Sequence, residues 1–211
     1  MKIWSGIFFV LCFCLPPFAA VAEGFIQSHK HLLIPRNCLN NQDVTGSASD
    51  GDLNRYGEEI ISDPAAINQL IETGRAMVYP ADYEDIKTIE GLLEIENKAR
   101  TAKRGCWSDN YKIFKAADNL PTGRFLIIEG RVLDIHKSYE NTYLNFGNDW
   151  KTDFTVRIIN KNKSFKEIDM KAFQGQEIRV RGFVEYYNGP SLTLDHHVLL
   201  ENVTRPTAGD P

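Results

Sequence analysis

After its first 22 residues the chain has no apolar run near the roughly 20 residues that cross a bilayer, so nothing beyond that point reads as a membrane span. It has no basic run and no acidic tail, and its formal net charge is −4. Strong nonspecific binding to a phosphate backbone draws on clustered Lys and Arg, so the charge argues against that class of binder. A glycine-rich phosphate loop, a nucleophile elbow and Cys-X-X-Cys are all missing, and with them the sequence signals for the chemistries they serve. Cysteine is scarce as well. Two of the four cysteines, Cys12 and Cys14, lie in the first 22 residues, which leaves Cys38 and Cys106.

What is present starts with an export signal. Lys2 supplies the positive start, Ile3 to Leu15 the apolar middle, and Ala20-Val21-Ala22 the small-residue cleavage site. Pro16 and Pro17 interrupt the run before it could serve as an anchor. Residues 1–22 are therefore expected to be removed, giving a periplasmic or secreted protein with no membrane association after cleavage. In an oxidising compartment Cys38 and Cys106 can pair, and closing so long a loop would stabilise by roughly 4 kcal/mol. Two buried thiols are the alternative, and spacing alone does not decide between them.

The signals sharpen along the chain. Phe25-Ile26 and Leu32-Leu33-Ile34 read as short strands, and Asn40 to Asp52 as loop. Asp63-Pro64 is a helix start and Gly74 the matching stop, with Ile67, Leu70 and Ile71 on one face. Ala76 to Tyr79 reads as a strand. A longer helix is expected over Tyr83 to Arg104, with Leu92, Ile95, Ala99 and Ala102 facing inward and Glu94, Lys98, Arg100 and Lys103 mostly outward. Ala116 to Thr122 is the expected linker. The texture then turns to β: a strand over Arg124 to Ile135, long enough to bend and with a bulge expected at Gly130, strands over Thr142 to Phe146 and Asp153 to Ile159, a short helix over Ile168 to Phe173, and a final hairpin of Gln176 to Tyr187 and Ser191 to Val203. Three strands, a helix and two strands in so short a span is the plan of a five-stranded OB-type barrel.

Residues 53–113 carry a second pattern. Asn54-Arg55-Tyr56-Gly57 is followed by Gln69-Leu70-Ile71-Glu72-Thr73-Gly74-Arg75-Ala76-Met77-Val78-Tyr79, then Leu92 to Arg100, then Arg104-Gly105-Cys106-Trp107. In order and spacing this resembles the C-terminal part of the thermonuclease (staphylococcal-nuclease-like) family. Residues 124–201, above all Tyr143 to Val156, look like the OB-type extension of some bacterial members. The resemblance implies Ca²⁺-dependent cleavage of nucleic-acid phosphodiesters, which needs carboxylates for a hard cation and arginines for the developing charge. The family's N-terminal carboxylate motifs are missing. Asp50-Gly51-Asp52 echoes one of them but is followed by Leu53, and Glu58 stands where the resemblance calls for an arginine. A carboxylate there would repel the phosphate, so the resemblance supports the fold and argues against the catalysis.

Among other constellations, His29-X-His31 lacks a zinc spacing. As part of a strand His196-His197 would point to opposite faces, and Asp149 and Asp153 read as turn caps. The aromatics Tyr143, Phe146, Trp150, Phe154, Tyr186 and Tyr187, interleaved with Lys151, Arg157, Arg179 and Arg181, suit a surface that stacks single-stranded bases. Barrel filling and rim packing is the plainer account of the same residues, with Trp150 the aromatic expected to be exposed.

The reading is an α+β protein: a signal peptide (1–22), a shortened thermonuclease-like domain (23–115), an OB-like barrel (121–203) and a tail (204–211). Its expected role is a catalytically impaired binding module for single-stranded nucleic acid or another exported protein. The candidate nucleic-acid-binding residues are Arg55, Tyr143, Trp150, Lys151, Arg157, Arg181 and Tyr187. No catalytic residue, metal or cofactor is assigned. The alternative is an active nuclease, which would need Ca²⁺ held by a set such as Asp43, Asp50, Asp52, Glu58 and Glu59.

Overall fold

A computed structural model describes residues 25–29, 32–35, 63–80, 83, 85–108 and 111–203, the stretch 25–29 and Pro35 as backbone alone. Strands β1 (Phe25–His29) and β2 (Leu32–Pro35) pair antiparallel, and β2 pairs antiparallel with β3 (Met77–Val78). Between β2 and β3 comes helix α1 (Pro64–Glu72), capped by Asp63, whose carboxylate accepts from Ala65 N at 3.0 Å, with proline at the first helical position. Helix α2 (Ile86–Thr101) is capped by Asp85, which accepts from Thr88 N at 3.1 Å. It is shorter at both ends than the span Tyr83 to Arg104 that periodicity suggested, because its first usable cap is Asp85 and the backbone turns at Ala102.

The two helix ends meet at a pair of glycines. Gly74 has φ +72° and Gly105 φ +52°, and Cys106 N donates to Gly74 O at 3.0 Å. A Cβ on Gly74 would stand 2.1 Å from Arg104 O, and one on Gly105 2.3 Å from Thr73 O. Both positions therefore require glycine for conformation and for space. Cys106, just beyond this contact, is disulfide-bonded. Cys38, the partner expected from the sequence, lies outside the described residues.

The remaining strands form one mixed sheet. These are β4 (Phe114–Lys115), β5 (Arg124–Arg131), β6 (Asp134–Lys137), β7 (Asn141–Asn145), β8 (Thr155–Ile159), β9 (Glu177–Tyr186), β10 (Pro190–Thr193) and β11 (Leu200–Asn202). Their order is β4-β5-β9-β10-β8-β7-β6, with β11 also on β9. The β4–β5 and β8–β10 pairs are parallel and the others antiparallel. The protein is thus mixed α+β, as its texture indicated. No ladder joins the ends of this order, β4 and β6, so the described sheet is an open path and not a closed five-stranded barrel.

Where one bending strand was expected over Arg124 to Ile135 there are two, because the chain changes partner, and the bulge expected at Gly130 is absent, since the register with β9 runs unbroken through Gly130 opposite Ile178. Arg124–Arg131 pairs with β9 and Asp134–Lys137 with β7. At the switch Val132 N donates to Gln176 O and Leu133 N to Asn145 O. The expected last strand also divides. After β10 a 3₁₀ turn, His197–Leu199, is capped by His196 before β11 begins. The imidazole rings of His196 and His197 consequently lie 4.3 Å apart and not on opposite faces.

The expected linker is docked on the sheet. Ala116 N donates to Glu129 O at 2.8 Å and Leu120 is buried. One buried cluster takes in Leu32, Ile67, Ile71 and Ile89 together with Ile128, Val156, Val180 and Leu192, so residues from both halves of the chain share a core. A second cluster sets Leu33, Met77, Ala99 and Trp107 beside Phe125 and Ile127 of β5.

Candidate functional site

Strand alternation decides which side chains reach solvent on the far part of the sheet. On β7 Thr142 and Leu144 point inward and Asn141, Tyr143 and Asn145 outward, and on β8 Val156 and Ile158 point inward and Arg157 outward. The registers assemble the outward residues into two rows. Asp134, Asn145, Thr155 and Ser191 stand opposite one another from β6 through β10, and beside them run His136, Tyr143, Arg157 and Thr193. Facing pairs on adjacent strands lie about 5 Å apart at Cβ, so each row is a continuous polar strip.

These strips floor a cleft of about 600 Å³, walled by Trp150 from the β7–β8 turn and by Tyr187-Asn188 from the β9–β10 turn. That volume suits a small ligand or one unit of a polymer. Trp150 is 55% and Tyr187 62% exposed, large aromatic faces left in water. Arg157 donates from Nε and Nη2 to Thr193 Oγ1 at 3.1 and 2.8 Å, and its guanidinium lies 5.9 Å from the Tyr187 ring centroid. Lys151 Nζ lies 5.6 Å from the Trp150 ring centroid. The His136 and Tyr143 rings stack with centroids 6.2 Å apart.

The Trp150 turn is held from inside. Asp153 Oδ2 accepts from Asp149 N at 2.8 Å and Asp149 Oδ1 from Lys151 N at 3.0 Å, so both carboxylates act as caps. A Cβ on Gly147 would fall 2.0 Å from Asp153 Oδ2, which ties glycine to this turn.

Five of the seven candidate residues, Tyr143, Trp150, Lys151, Arg157 and Tyr187, thus lie in or beside one cleft. Arg55 lies outside the described residues. Arg181 is a correction. It is 1% exposed, on the face of β9 that α2 covers, and both terminal nitrogens of its guanidinium are committed to the protein, while its buried Nε finds no hydrogen-bond partner. Nη1 donates to Glu96 Oε2 at 2.8 Å and to Val78 O at 3.1 Å, while Nη2 donates to Glu201 Oε1 at 2.6 Å. Phe154 and Phe146 pack together in or against the core at 5.1 Å.

Arg181 belongs to a buried ionic network that periodicity alone did not reveal. Glu96, fully buried, also accepts from Val78 N at 2.7 Å and lies 3.5 Å from Arg100 Nη1. Glu201 is shared with Arg179 at 2.9 Å and Arg100 at 3.9 Å, and Arg179 bonds Glu129, which Lys115 meets at 2.9 Å. Burial pushes the Glu201 carboxyl up, but Arg181, Arg179 and Arg100 outweigh it and hold it at about 2. Arg100, expected to face outward, is mostly buried in this network. The available signal was Glu96 itself, a carboxylate in phase with Ile89, Leu92 and Ala99 on the apolar stripe of α2.

Among the described residues no group of three or more His, Cys, Asp or Glu side chains is placed to hold a metal ion. Glu96 and Glu201 straddle Arg181, so their charge is already answered. Asp43, Asp50, Asp52, Glu58 and Glu59 lie outside the described residues, as do His31 and the His29 side chain. The described residues therefore offer Ca²⁺ no fitting donor set.

No helix among the described residues is long and apolar enough to cross a membrane. No protein-family model and no curated protein matches the chain. The solved structure of the aspartyl tRNA synthetase from Entamoeba histolytica is 10% identical over 50% of this chain and 24% of that one, with a TM-score of 0.31. This chain spans about a quarter of the synthetase's length, and so slight a likeness carries no argument.

Proposed function

We propose that this chain is an exported, non-catalytic binding module of thermonuclease-like ancestry whose cleft receives a single strand of nucleic acid. The observation that carries the reading is the pair of exposed aromatics, Trp150 and Tyr187, flanking Arg157 at the mouth of a polar cleft. Bases stack on such faces whatever their sequence, and a guanidinium among them meets the phosphate.

An OB-type arrangement is part of the proposal. If residues 124–137 are taken as one bent strand, the pairing order becomes first-second-third-fifth-fourth-first, with third and fifth parallel. Oligonucleotides and oligosaccharides bind such folds on strands two and three and on the loop between four and five. In this chain those are β7, β8 and the Tyr187 turn. The shortened thermonuclease-like part, residues 23–115, would then serve as a brace. Its lack of catalysis is inferred from the sequence, where Glu58 replaces an arginine and the family's carboxylate motifs are missing.

The test is fluorescence. Trp107 is buried and Trp150 exposed, so adding a thymidine oligomer at low salt should quench Trp150 emission. Trp150→Ala should weaken binding by roughly 1–3 kcal/mol, the contribution of one stacked base. Residues 121–203 carry 11 acidic and 11 basic side chains, so the salt dependence should be shallow. If emission does not change at low salt, nucleic acid is the wrong partner, and the cleft becomes a docking surface for another exported protein.

A further inference from the structure

The cleft is electrically lopsided, and this suggests which part of a strand enters where. Asp134 opens β6, exposed, directly opposite Asn145 on β7. Its carboxylate has no hydrogen-bond or ion-pair partner among the described residues. Thr155 Oγ1 donates to Asn145 Oδ1 at 3.3 Å, which leaves the Asn145 amide nitrogen to donate into the cleft. The cations lie elsewhere: Arg157 in the neighbouring row, steadied by Thr193, and Lys151 at the rim over Trp150. A phosphate is repelled from the Asp134 end and drawn to the Arg157 and Lys151 end, so the base is what meets Asp134.

Resting on the single-strand reading above, we propose that Asp134 and Asn145 form a specificity site for a guanine base. A carboxylate accepts two hydrogen bonds side by side and donates none, while an amide nitrogen donates. The pairing edge of guanine offers two adjacent donors, N1–H and N2–H₂, next to one acceptor, O6. That edge meets Asp134 with both donors and Asn145 with its acceptor. Adenine would turn the N1 lone pair, cytosine N3 and O2, and thymine its two carbonyls toward the carboxylate. Each such mismatch leaves a polar group facing a like partner, which is how sites built on hydrogen bonds reject the wrong ligand.

The experiment titrates the full protein, reading Trp150 fluorescence, with thymidine pentamers carrying guanine, inosine, adenine or cytosine at the centre, and with GMP alone. The guanine pentamer should bind roughly tenfold to a hundredfold more tightly than the adenine or cytosine one, the usual discrimination from one bidentate pair. Inosine, which lacks N2–H₂, should fall between them. Asp134→Asn, at an exposed position where the fold is not at stake, should bring the guanine pentamer to the level of the adenine one with an unchanged melting temperature. Four equal pentamers that all quench would overturn the guanine site and leave the single-strand reading standing. A guanine preference that survives Asp134→Asn would overturn the role given to Asp134. Silence from every pentamer and from GMP would sink both proposals. GMP binding as tightly as the guanine pentamer would support the guanine site and remove the strand as its source.

Discussion

Replacing Arg181 with methionine takes a guanidinium out from between two carboxylates while keeping most of the side-chain volume. Three hydrogen bonds go: to Glu96 at 2.8 Å, to Val78 O at 3.1 Å and to Glu201 at 2.6 Å. Glu201 is one quarter exposed and keeps Arg179 at 2.9 Å and Arg100 at 3.9 Å, so its charge remains answered. Glu96 has no such reserve. It is wholly buried and retains only Val78 N at 2.7 Å and Arg100 at 3.5 Å. The expected loss is therefore the about 3–5 kcal/mol typical of removing one partner from a buried pair.

That figure would be a large share of the whole stability of an ordinary domain, and urea denaturation followed by circular dichroism reads it directly. Adding Glu96→Gln to Arg181→Met discharges the stranded carboxylate and should recover at least about 1 kcal/mol, which a double-mutant cycle isolates. Acid titration gives a separate check. The Glu201 carboxyl is held at about 2 against an ordinary 4.5. A depressed folded-state value contributes stability that is present above pH about 4.5 and is lost as pH falls toward 2. A shift of that size corresponds to roughly 3 kcal/mol, and partial exposure trims it. Arg181→Met should flatten this acid limb. A loss below about 1 kcal/mol with the acid limb unchanged would refute the argument, since neither Glu96 nor Glu201 would then depend on Arg181.

Gly74→Ala should cost at least about 2 kcal/mol, read as a fall in melting temperature, because φ +72° strains any Cβ and Arg104 O stands 2.1 Å from where it would go. In a chain beginning at Glu23 only Cys38 and Cys106 remain. Reduction of the Cys106 disulfide should then destabilise by about 2–4 kcal/mol, and two titratable thiols in the unreduced, denatured protein would rule the pairing out. A nuclease assay with and without Ca²⁺ should show no stimulated cleavage of single-stranded DNA or RNA. Cleavage abolished by a chelator would reinstate the active-enzyme reading.

Local signals were legible wherever the physics is local. Asp63-Pro64 marks a helix start because a carboxylate cap and a proline each act within one turn, and Gly74 marks the stop because a positive φ belongs to its own residue. The alternation of Tyr143 and Arg157 against Leu144, Val156 and Ile158 follows from a period of two, so these inward and outward sides are written in the sequence itself. The exposure of Trp150 followed from its place in a polar turn. The same alternation also set Arg181 outward from the main core. Whether an outward residue meets water or another element, however, depends on what packs over it, and α2 lies 85 residues away in the chain. Arg100 went astray for the same reason, its outward face being roofed by β9 and β11. The length of the strand beginning at Arg124 signalled a bend, but its place at Val132 was hidden, since it arises from an exchange of partners between β9 and β7 and not from a strand-breaking residue such as Gly130. The sequence by itself determined the caps, the turns and the inward and outward sides. Only the tertiary structure decided which outward sides stay open as a cleft and which close over a buried network of charge, because coverage is a property of chain segments brought together from afar.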